Sequence, residues 1–341
     1  MTLTRRPAVL LVGLMLLLLA PFIGKAVHID DSLFLWAAEH ILKNPLNFYG
    51  FDVNWYGISM PMSEVTKNPP LVSYYLAGVL WLFGPSEPAL HLAMLVPALL
   101  CGLGAYSLAR QMTSAPLLAA AIGVLSPVFV VSATTLMSDV TMLCFWIWAL
   151  VFWRRGIVEQ RHGPLALAAL LMAASGLTKY FGINLIPLTF VYTLALERKP
   201  TPRLLWLLVP VALFAGYQLW TEAIYGRGLL LDAADYASGI LQNMKVGRET
   251  RLLLGIPFAG GCLASTVFFA PLLWRRGALL VGLALAVALA AVVILVRNGV
   301  TEYLLAGVLN KTTFALHFSL FFAAGLAALA LPLTDLARRR D

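Results

Sequence analysis

The sequence predicts an all-α polytopic membrane protein, and three observations support this fold class. Hydrophobic residues make up 61% of the 341 residues, whereas charged residues make up only 12%. A soluble globular domain carries about 25% charged residues, so this composition is typical of a chain that lies mostly in lipid. Long apolar runs also recur along the whole chain, and short clusters of basic residues separate them.

A membrane-spanning helix needs about 20 apolar residues, and about ten runs approach or reach that length. The predicted spans are 7–25, 88–109, 115–136, 139–153, 164–178, 180–196, 203–221, 252–273, 278–297 and 314–333. The first run follows Arg5-Arg6 as a signal peptide would. It lacks a clear small-x-small cleavage site, and we therefore predict that it is a first span.

The basic clusters predict the orientation of the chain. If the N-terminus is cytoplasmic and the spans alternate, most of the 24 Lys and Arg residues fall on cytoplasmic turns. We therefore expect a multi-pass protein of the inner or plasma membrane with both termini in the cytoplasm. The same bias explains the net charge of +8 without a nucleic-acid partner.

The predicted topology leaves two long outer loops, 26–87 and 222–251, within a single membrane domain, 1–341, that has no separate soluble domain. The apolar run from Leu71 to Phe83 offers only about 20 Å of helix, short of the roughly 30 Å hydrocarbon core. We expect it to form an interfacial or re-entrant helix in the first outer loop. Amphipathic stretches at 31–42 and 234–244 predict further helices in the two loops.

Adjacent carboxylates, Asp30 and Asp31, stand just beyond the predicted outer end of the first span. A carboxylate there could act as a general base or hold a cation. The alternative is structural, because Asp30 could cap the helix that follows and Asp31 suits its first turn. The residue types alone leave both interpretations open.

Lys67 and Asn68 precede Pro69-Pro70-Leu71 in the same loop. The two prolines fix φ and predict an extended entry into the short helix, which would hold the preceding side chains at the membrane surface. A cation there could bind a lipid-linked phosphate. The alternative is a rigid helix entry with a lysine whose ammonium reaches the interface.

Charged residues inside or beside apolar runs are the remaining candidates. Asp139 and Lys179 interrupt apolar stretches, where an ionised group costs about 2.5–3.5 kcal/mol and is a functional candidate by default. A helix cap in a tight turn is the structural alternative for Asp139. Arg248 and Arg251 end the second outer loop and could bind phosphate, although arginine is common at membrane interfaces.

Other chemical signatures are missing from the sequence. Cys101, Cys144 and Cys262 lie inside apolar runs, where we expect them to pack in the core. The histidines show no metal-ligand spacing, and there is no phosphate-binding loop, dinucleotide fingerprint or nucleophile elbow.

The order of these motifs resembles that of the GT-C glycosyltransferases, in the family that contains protein O-mannosyltransferases, the lipid A aminoarabinose transferase and RgtA/B/C/D-like enzymes. The stretch Asp30-Asp31-Ser32-Leu33-Phe34 with Ala38 resembles the Asp-Glu-x-x-Tyr…Ala motif, with Asp31 and Phe34 in place of the usual Glu and Tyr. Asn68-Pro69-Pro70-Leu71 resembles the Lys-Pro-Pro-Leu motif, with the lysine displaced by one residue to Lys67.

Later motifs follow in the same order, so the resemblance covers roughly residues 8–200. They are Leu125-Ser126-Pro127, Ser138-Asp139 and Gly176-Leu177-Thr178-Lys179. Many relatives carry further spans or a soluble outer domain after the shared part. The resemblance implies that this chain recognises its acceptor with the second outer loop, with residues 298–313, or through a partner.

The resemblance implies an enzyme that takes a sugar from a polyprenyl-phosphate donor on the outer face of the membrane. It implies Asp30 as the general base or acceptor-positioning carboxylate, with Asp31 and Asp139 beside it. Phosphate binding would fall to Lys67, Arg248 or Arg251. Asn68 and Lys179 complete the predicted substrate-binding set.

The implied partners are membrane lipid, the lipid-linked donor and a glycan, lipid or protein acceptor. No cofactor beyond the donor substrate is predicted, and the sequence allows a divalent cation between Asp31 and Asp139 without requiring one. A single in-line displacement would invert the anomeric carbon.

Two other functions fit part of the sequence. A transporter or flippase of polyprenyl-linked intermediates would use the same basic residues, but transporters tend to show paired repeats and helices broken at the midplane. Here the charged candidates gather at one predicted face, which favours an enzyme. A catalytically silent scaffold for another glycosyltransferase is the third interpretation, and the intact Asp30 argues against it.

Overall fold

The computed structural model describes residues 5–243, 247–273, 275–295 and 310–338, and this part of the chain is mostly helical. The earlier helices are α1 Arg5–Leu19, α2 Asp31–Ile41, α3 Met62–Val65, α4 Leu71–Phe83, α5 Glu87–Ala109, α6 Pro116–Val124, α7 Pro127–Ala133 and α8 Ser138–Val158. The later helices are α9 His162–Thr178, α10 Leu185–Glu197, α11 Leu208–Tyr225, α12 Leu229–Asn243, α13 Arg248–Cys262, α14 Ala264–Phe268, α15 Ala270–Leu273, α16 Arg276–Leu295 and α17 Lys311–Arg338. Short 3-10 helices occupy Ala20–Phe22, Tyr180–Asn184 and Pro202–Leu207.

Five helical segments of the described chain are long and apolar enough to cross a membrane. They are Glu87–Ala109, Ser138–Val158, Tyr180–Glu197, Pro202–Tyr225 and Lys311–Ala328. The pair α6 and α7 bends by 62° and brings the number to 6 if it is counted as one span. The prediction of about ten full spans is therefore not confirmed.

Breaks and short lengths account for the difference in span number. The predicted span 252–273 divides among α13, α14 and α15, and the predicted span 115–136 breaks before Pro127, which cannot donate the next helical hydrogen bond. Further predicted spans coincide with apolar helical segments of fewer than 18 residues, at Arg6–Phe22, His162–Thr178 and, within α16, Leu279–Leu295.

The predicted short helix is present as α4, a helix of 13 residues over Leu71–Phe83. Pro69-Pro70 precedes it, and Gly84 ends it with a φ of 69°. This left-handed conformation is costly for residues with a Cβ, which explains why glycine stands there. The predicted amphipathic helices of the two loops are α2 and α12.

The described residues form two compact units, which we describe separately. The first comprises those within Met1–Ala121 and Val130–Gln242, and the second comprises those within Ile122–Phe129 and Asn243–Asp341. In the second unit α17 packs against α13 and α16, with Val293, Ala315 and Phe318 buried between helices.

The largest core of the first unit surrounds Phe48, which is fully buried. Helices α2 and α4 pack together in this core through Phe34 and Ala38 on one side and Val72 and Leu76 on the other. A two-stranded antiparallel hairpin, β1 Asp52–Asn54 and β2 Ser59–Pro61, follows α2. The core thus fixes α2, the hairpin and the entry to α4 relative to one another.

Helices α8 and α9 form the most extensive helix pair of the first unit. Leu165 and Ala168 of α9 are buried, and Gly156 of α8 leaves room for the Leu165 side chain. Because consecutive helices in such a hairpin run in opposite directions, the start of α8 and the end of α9 share one end of the pair. This places the two charged residues at those helix ends, Asp139 and Lys179, side by side.

Candidate active site

Asp31 is a buried carboxylate that joins the start of α2 to the segment before α8. Its Oδ2 accepts a hydrogen bond from the His28 N–H at 3.0 Å, and its Oδ1 accepts one from the Leu136 N–H at 3.1 Å. The residue is only 1% exposed. Hydrogen bonds from backbone amides to a carboxylate are among the stronger ones in proteins. Asp31 therefore fixes both its neighbour Asp30 and the residues that lead to Asp139.

Asp30 presents an exposed carboxylate at the N-cap position of α2. The structural alternative for this residue was a helix cap, but its side chain makes no capping hydrogen bond. The His28 Nδ1 lies 3.9 Å from Asp30 Oδ2, and 49% of the Asp30 side chain is exposed. A carboxylate in this position can accept a proton from an incoming hydroxyl.

Asp139 and Lys179, which the sequence singled out separately, form an ion pair. Lys179 Nζ donates to Asp139 Oδ1 at 2.6 Å, and the two side chains are about one-third exposed. Asp139 lies in the first turn of α8, and Lys179 is the C-cap residue of α9. The pairing lowers the cost of placing either charge near lipid.

A tight turn after α9 sets the position of Lys179. The backbone N–H of Gly182 donates to the carbonyl of Lys179 at 2.8 Å. A Cβ on Gly182 would overlap the backbone of Ser175 and Gly176, so only glycine allows this close return of the chain. Lys179 is thereby held where α9 ends and the Tyr180–Asn184 3-10 helix begins.

Lys67 forms an ion pair with Asp232 of α12, a residue that the sequence analysis did not select. Lys67 Nζ lies 2.5 Å from Asp232 Oδ2, and the two side chains are 22% and 23% exposed. Lys67 Nζ also lies 5.6 Å from the centre of the Tyr236 ring, within the range of a cation–π contact. The partner of Lys67 thus comes from the predicted second outer loop.

Arg227 extends this pair into a network of four charges. It donates to Asp232 Oδ1 at 3.2 Å and forms a second ion pair with Glu64 of α3. Burial raises the pKa of the Asp232 carboxyl, but hydrogen bonds and charge from Lys67 and Arg227 outweigh it and hold that pKa below its ordinary value. Asp232 is therefore ionised at neutral pH, and two cations lie beside it.

The segment that carries Lys67 and Asn68 is held by a buried tyrosine. The Tyr49 hydroxyl donates to the Asn68 carbonyl at 2.9 Å, while the Tyr225 hydroxyl accepts a hydrogen bond from the Tyr49 N–H at 3.0 Å. Burial raises the pKa of Tyr49 well above its ordinary value, so the phenol stays protonated and keeps donating. The Asn68 side chain is half-buried beside Lys67.

The Asp139–Lys179 pair and the network around Lys67 border the same hydrophobic core. Leu136 and Leu177, which stand close to Asp139 and Lys179 in the chain, contact the Phe48 cluster. Val65 and Leu229, which stand close to Lys67 and Asp232, belong to the same cluster. The charged candidates of the first unit therefore lie around one hydrophobic core. They are Asp30, Asp31, Asp139, Lys179, Lys67 and Asp232.

Four charged residues of this neighbourhood escaped the sequence analysis. They are Asp232, Arg227 and Glu64 in the network around Lys67, and Lys25, whose Nζ donates to the Thr134 carbonyl at 3.2 Å. Glu64, Arg227 and Asp232 lie outside the predicted spans, and Lys25 is the last residue of the first one, so none of them interrupts an apolar run. Apart from the Arg227–Asp232 pair, the contacts of these residues join parts of the chain that are distant in sequence, and the fold is needed to reveal them.

Arg248 and Arg251 lie in the first turn of α13, in the second unit. Arg251 is half-buried, and the side chain of Arg248 lies outside the described residues, as does Lys245. Their proposed contact with the donor phosphate stays a prediction of the resemblance.

Among the residues that the structure describes, no group of three or more His, Cys, Asp and Glu side chains could hold a metal ion. The sequence allowed a divalent cation between Asp31 and Asp139. In the structure, the Asp31 carboxylate accepts hydrogen bonds from backbone amides and the Asp139 carboxylate accepts one from Lys179. A cation between them stays a prediction of the resemblance.

The long apolar helices define a multi-pass helical membrane protein. The dolichyl-phosphate-mannose-protein mannosyltransferase family matches residues 67–220, which is less than half of the 341 residues. This region contains Lys67, Asn68, Asp139 and Lys179. A comparison with curated protein sequences finds no match.

Solved structures share the fold. The crystal structure of ArnT from Cupriavidus metallidurans in the apo state has 18% sequence identity and a TM-score of 0.53, over 94% of this chain and 59% of that one. The same protein bound to undecaprenyl phosphate has 17% identity and a TM-score of 0.53, over 95% of this chain and 60% of that one. The chain therefore spans about three-fifths of the length of the solved protein. The family match and the shared fold confirm the resemblance to the GT-C superfamily glycosyltransferases.

Proposed function

We propose that this chain transfers a sugar from a polyprenyl-phosphate donor to an acceptor hydroxyl at the outer face of the cell membrane. The observation that carries the proposal is the position of Lys67. Its half-buried ammonium lies beside Pro69-Pro70 and is paired with a carboxylate from another helix. It lies within the region matched by the mannosyltransferase family. The shared fold with a protein solved with bound undecaprenyl phosphate supports a lipid-phosphate donor.

The charges around Lys67 suit the departure of a phosphate. The leaving group is a polyprenyl phosphate anion, so the transition state needs positive charge more than it needs a proton donor. Lys67 and Arg227 supply two cations on either side of Asp232. An incoming donor phosphate competes with Asp232 for them, and Asn68 beside Lys67 offers an additional neutral contact.

Asp30 is the general base of the proposed reaction. The acceptor hydroxyl loses its proton to the Asp30 carboxylate while the acceptor oxygen bonds to the anomeric carbon. The bond from that carbon to the phosphate oxygen breaks in the same step, and polyprenyl phosphate leaves with its electron pair. This single displacement inverts the anomeric carbon.

The remaining predicted residues support this arrangement. Asp31 holds Asp30 in place by accepting a hydrogen bond from the Leu136 N–H. The ion pair of Asp139 and Lys179 follows Leu136 closely in the chain and adds charged groups beside it. We propose that Lys179 contacts the substrate. The positive-inside bias supports cytoplasmic termini and an outer location for these residues.

Sugar release from a panel of radiolabelled polyprenyl-phosphate sugars tests the proposal. The protein is reconstituted in nanodiscs without acceptor, and water takes the place of the acceptor hydroxyl. We expect turnover of at least one donor, and a loss of at least tenfold in Lys67→Ala with partial recovery in Lys67→Arg. Lys199→Ala is the matched control, because Lys199 is an exposed lysine without a proposed role.

Failure of every donor in the panel would contradict the proposal. The protein reconstituted separately in lipid vesicles then shows whether it moves labelled polyprenyl-phosphate lipid between leaflets. Such movement without turnover would establish a transporter, the alternative function that the basic residues allow. Equal turnover by Lys67→Ala and wild type would remove Lys67 from the donor site.

A further inference from the structure

A pocket lies between α2 and the β1–β2 hairpin. Its volume is about 500 Å³, within the usual range for small-molecule sites. Its lining includes Trp36, Glu39, His40, Lys43, Asp52 and Asn54. Neither Asp30 nor Lys67 lines it, so the proposed reaction does not use this space.

An exposed tryptophan forms one wall of the pocket. Trp36 is 38% exposed although it is a large apolar residue. The ring of Trp55, after β1, packs against it edge to face, with centroids 6.2 Å apart and an angle of 82° between the planes. This contact fixes the Trp36 ring and leaves an aromatic surface for an apolar face of a ligand.

Four further lining side chains are polar and have hydrogen-bonding capacity to spare. Glu39, Lys43, Asp52 and Asn54 make no ion pair or side-chain hydrogen bond within residues 5–243 or the other described ranges. The carboxylates accept hydrogen bonds, and the Asn54 amide both donates and accepts. Groups of this kind in a pocket are ready to pair with a ligand that carries several hydroxyls.

His40 adds a buried polar atom to this set. Its ring stacks on Phe51 with centroids 4.7 Å apart and planes 28° apart, which fixes the imidazole. The Nε2 atom is buried and has no hydrogen-bond partner among the described residues. A buried polar atom without a partner is costly, so a ligand or water that pairs with it gains free energy.

We infer that this pocket binds an uncharged saccharide, namely the part of a glycan acceptor that lies remote from the reacting hydroxyl. A sugar ring offers C–H groups to an aromatic wall and hydroxyls to carboxylates, amides and imidazole at once. Two carboxylates, Glu39 and Asp52, outnumber the single ammonium of Lys43, so a phosphorylated ligand is disfavoured. The role as an acceptor site rests on the proposed function, whereas saccharide binding does not.

The position of the pocket fits a remote acceptor contact. Trp36 stands six residues after Asp30, about 9 Å along the axis of α2. An extended glycan could therefore occupy the pocket with one end while another sugar reaches Asp30. Binding energy from such a remote part of a substrate can be used to position the reacting group.

Binding of soluble neutral saccharides to the protein in nanodiscs tests the inference. The probes are methyl glycosides of hexoses and pentoses and the corresponding oligosaccharides, and calorimetry or saturation-transfer NMR measures their affinity. Nanodiscs avoid glycosidic detergents, whose sugar head groups would compete for the pocket. We expect at least one saccharide to bind wild type, and its affinity to fall at least tenfold in both Trp36→Ala and Asp52→Asn.

Two variants outside the pocket control for general effects. Trp81→Ala removes a tryptophan of α4 that is 76% exposed, and Asp235→Asn neutralises an exposed carboxylate of α12. Both should keep the wild-type affinity for the saccharide. If no saccharide binds, or if affinity is unchanged in Trp36→Ala and Asp52→Asn, the inference is wrong.

Donor hydrolysis separates this inference from the proposed function. Acceptor-free sugar release should proceed in Trp36→Ala at the wild-type rate, because water replaces the acceptor there. Saccharide binding that depends on Trp36 would support the pocket even in a protein that turns over no donor. Loss of acceptor-free release in Trp36→Ala would contradict a pocket that serves the acceptor alone.

Discussion

Replacement of Asp232 by asparagine removes the negative charge beside Lys67 while keeping the size of the side chain. Lys67 Nζ and Asp232 Oδ2 are 2.5 Å apart, and less than a quarter of each side chain is exposed. A hydrogen bond that involves charged groups contributes about 1.5–3 kcal/mol, roughly twice the contribution of a neutral one. The substitution therefore weakens the Lys67 contact by about 1 kcal/mol.

This weaker contact should strengthen phosphate binding. The donor phosphate must take the place of Asp232 at the Lys67 ammonium, so the free energy of that exchange improves by the amount that the contact loses. A change of about 1 kcal/mol corresponds to roughly fivefold tighter binding. We thus expect Asp232→Asn to bind polyprenyl phosphate about fivefold more tightly than wild type.

Calorimetry with polyprenyl phosphate in nanodiscs measures this difference without any chemical step. Asp235→Asn is the control, because it lies on the same helix, α12, and changes the net charge by the same amount. Equal tightening in both variants would show a general effect of net charge. Unchanged or weaker binding in Asp232→Asn would refute competition between Asp232 and the phosphate.

Three further measurements test the charge pairs. Asp31→Ala leaves two backbone amides without their acceptor and should lower the free energy of unfolding by about 2 kcal/mol; an unchanged thermal midpoint in nanodiscs would contradict this. Lys179→Met leaves Asp139 unpaired and should lower the free energy of unfolding by about 1 kcal/mol. Adding Asp139→Asn should restore part of this stability but should not restore donor turnover. Equal thermal midpoints for the single and the double variant would show that the two side chains are not coupled. The pKa of Asp232 is lowered in the folded state, so its contribution to stability is present above the ordinary value of 3.8 and lost as the pH falls through the lower folded value. Wild type should therefore be more stable than Asp232→Asn above about pH 3.8 and should lose this advantage below that pH. Acid unfolding of both proteins measures the difference.

Local signals predicted the helix bounds well where an apolar run and a helix breaker coincide. The prolines before Leu71 and the glycine after Phe83 delimit α4, and the apolar run after Ser138 delimits the start of α8. Hydropathy was insufficient where a run is apolar throughout but its backbone breaks. The predicted span 252–273 contains two such breaks, at Leu263 and Phe269, where side-chain hydropathy does not change.

The residue types of the candidate site were predicted better than their partners. Asp139 and Lys179 stood out because each charge interrupts an apolar stretch, yet their 2.6 Å contact depends on how α8 and α9 pair. Asp232 carried no comparable signal, because an acidic residue near the start of an amphipathic helix is ordinary in sequence. Asp31 looked like a catalytic partner of Asp30, whereas its contacts in the structure are with backbone amides.

The most direct test of the proposed reaction is acceptor-free sugar release by wild type, Asp30→Asn and Asp235→Asn on one polyprenyl-phosphate donor. Asparagine cannot take a proton from the attacking hydroxyl or water, and general base catalysis contributes about 10²–10⁴-fold to the rate. We expect Asp30→Asn to lose at least a hundredfold in turnover while polyprenyl phosphate still binds, and Asp235→Asn to match wild type. Wild-type turnover in Asp30→Asn would contradict the assignment of Asp30 as the base, and no turnover in any protein would contradict the glycosyltransferase itself.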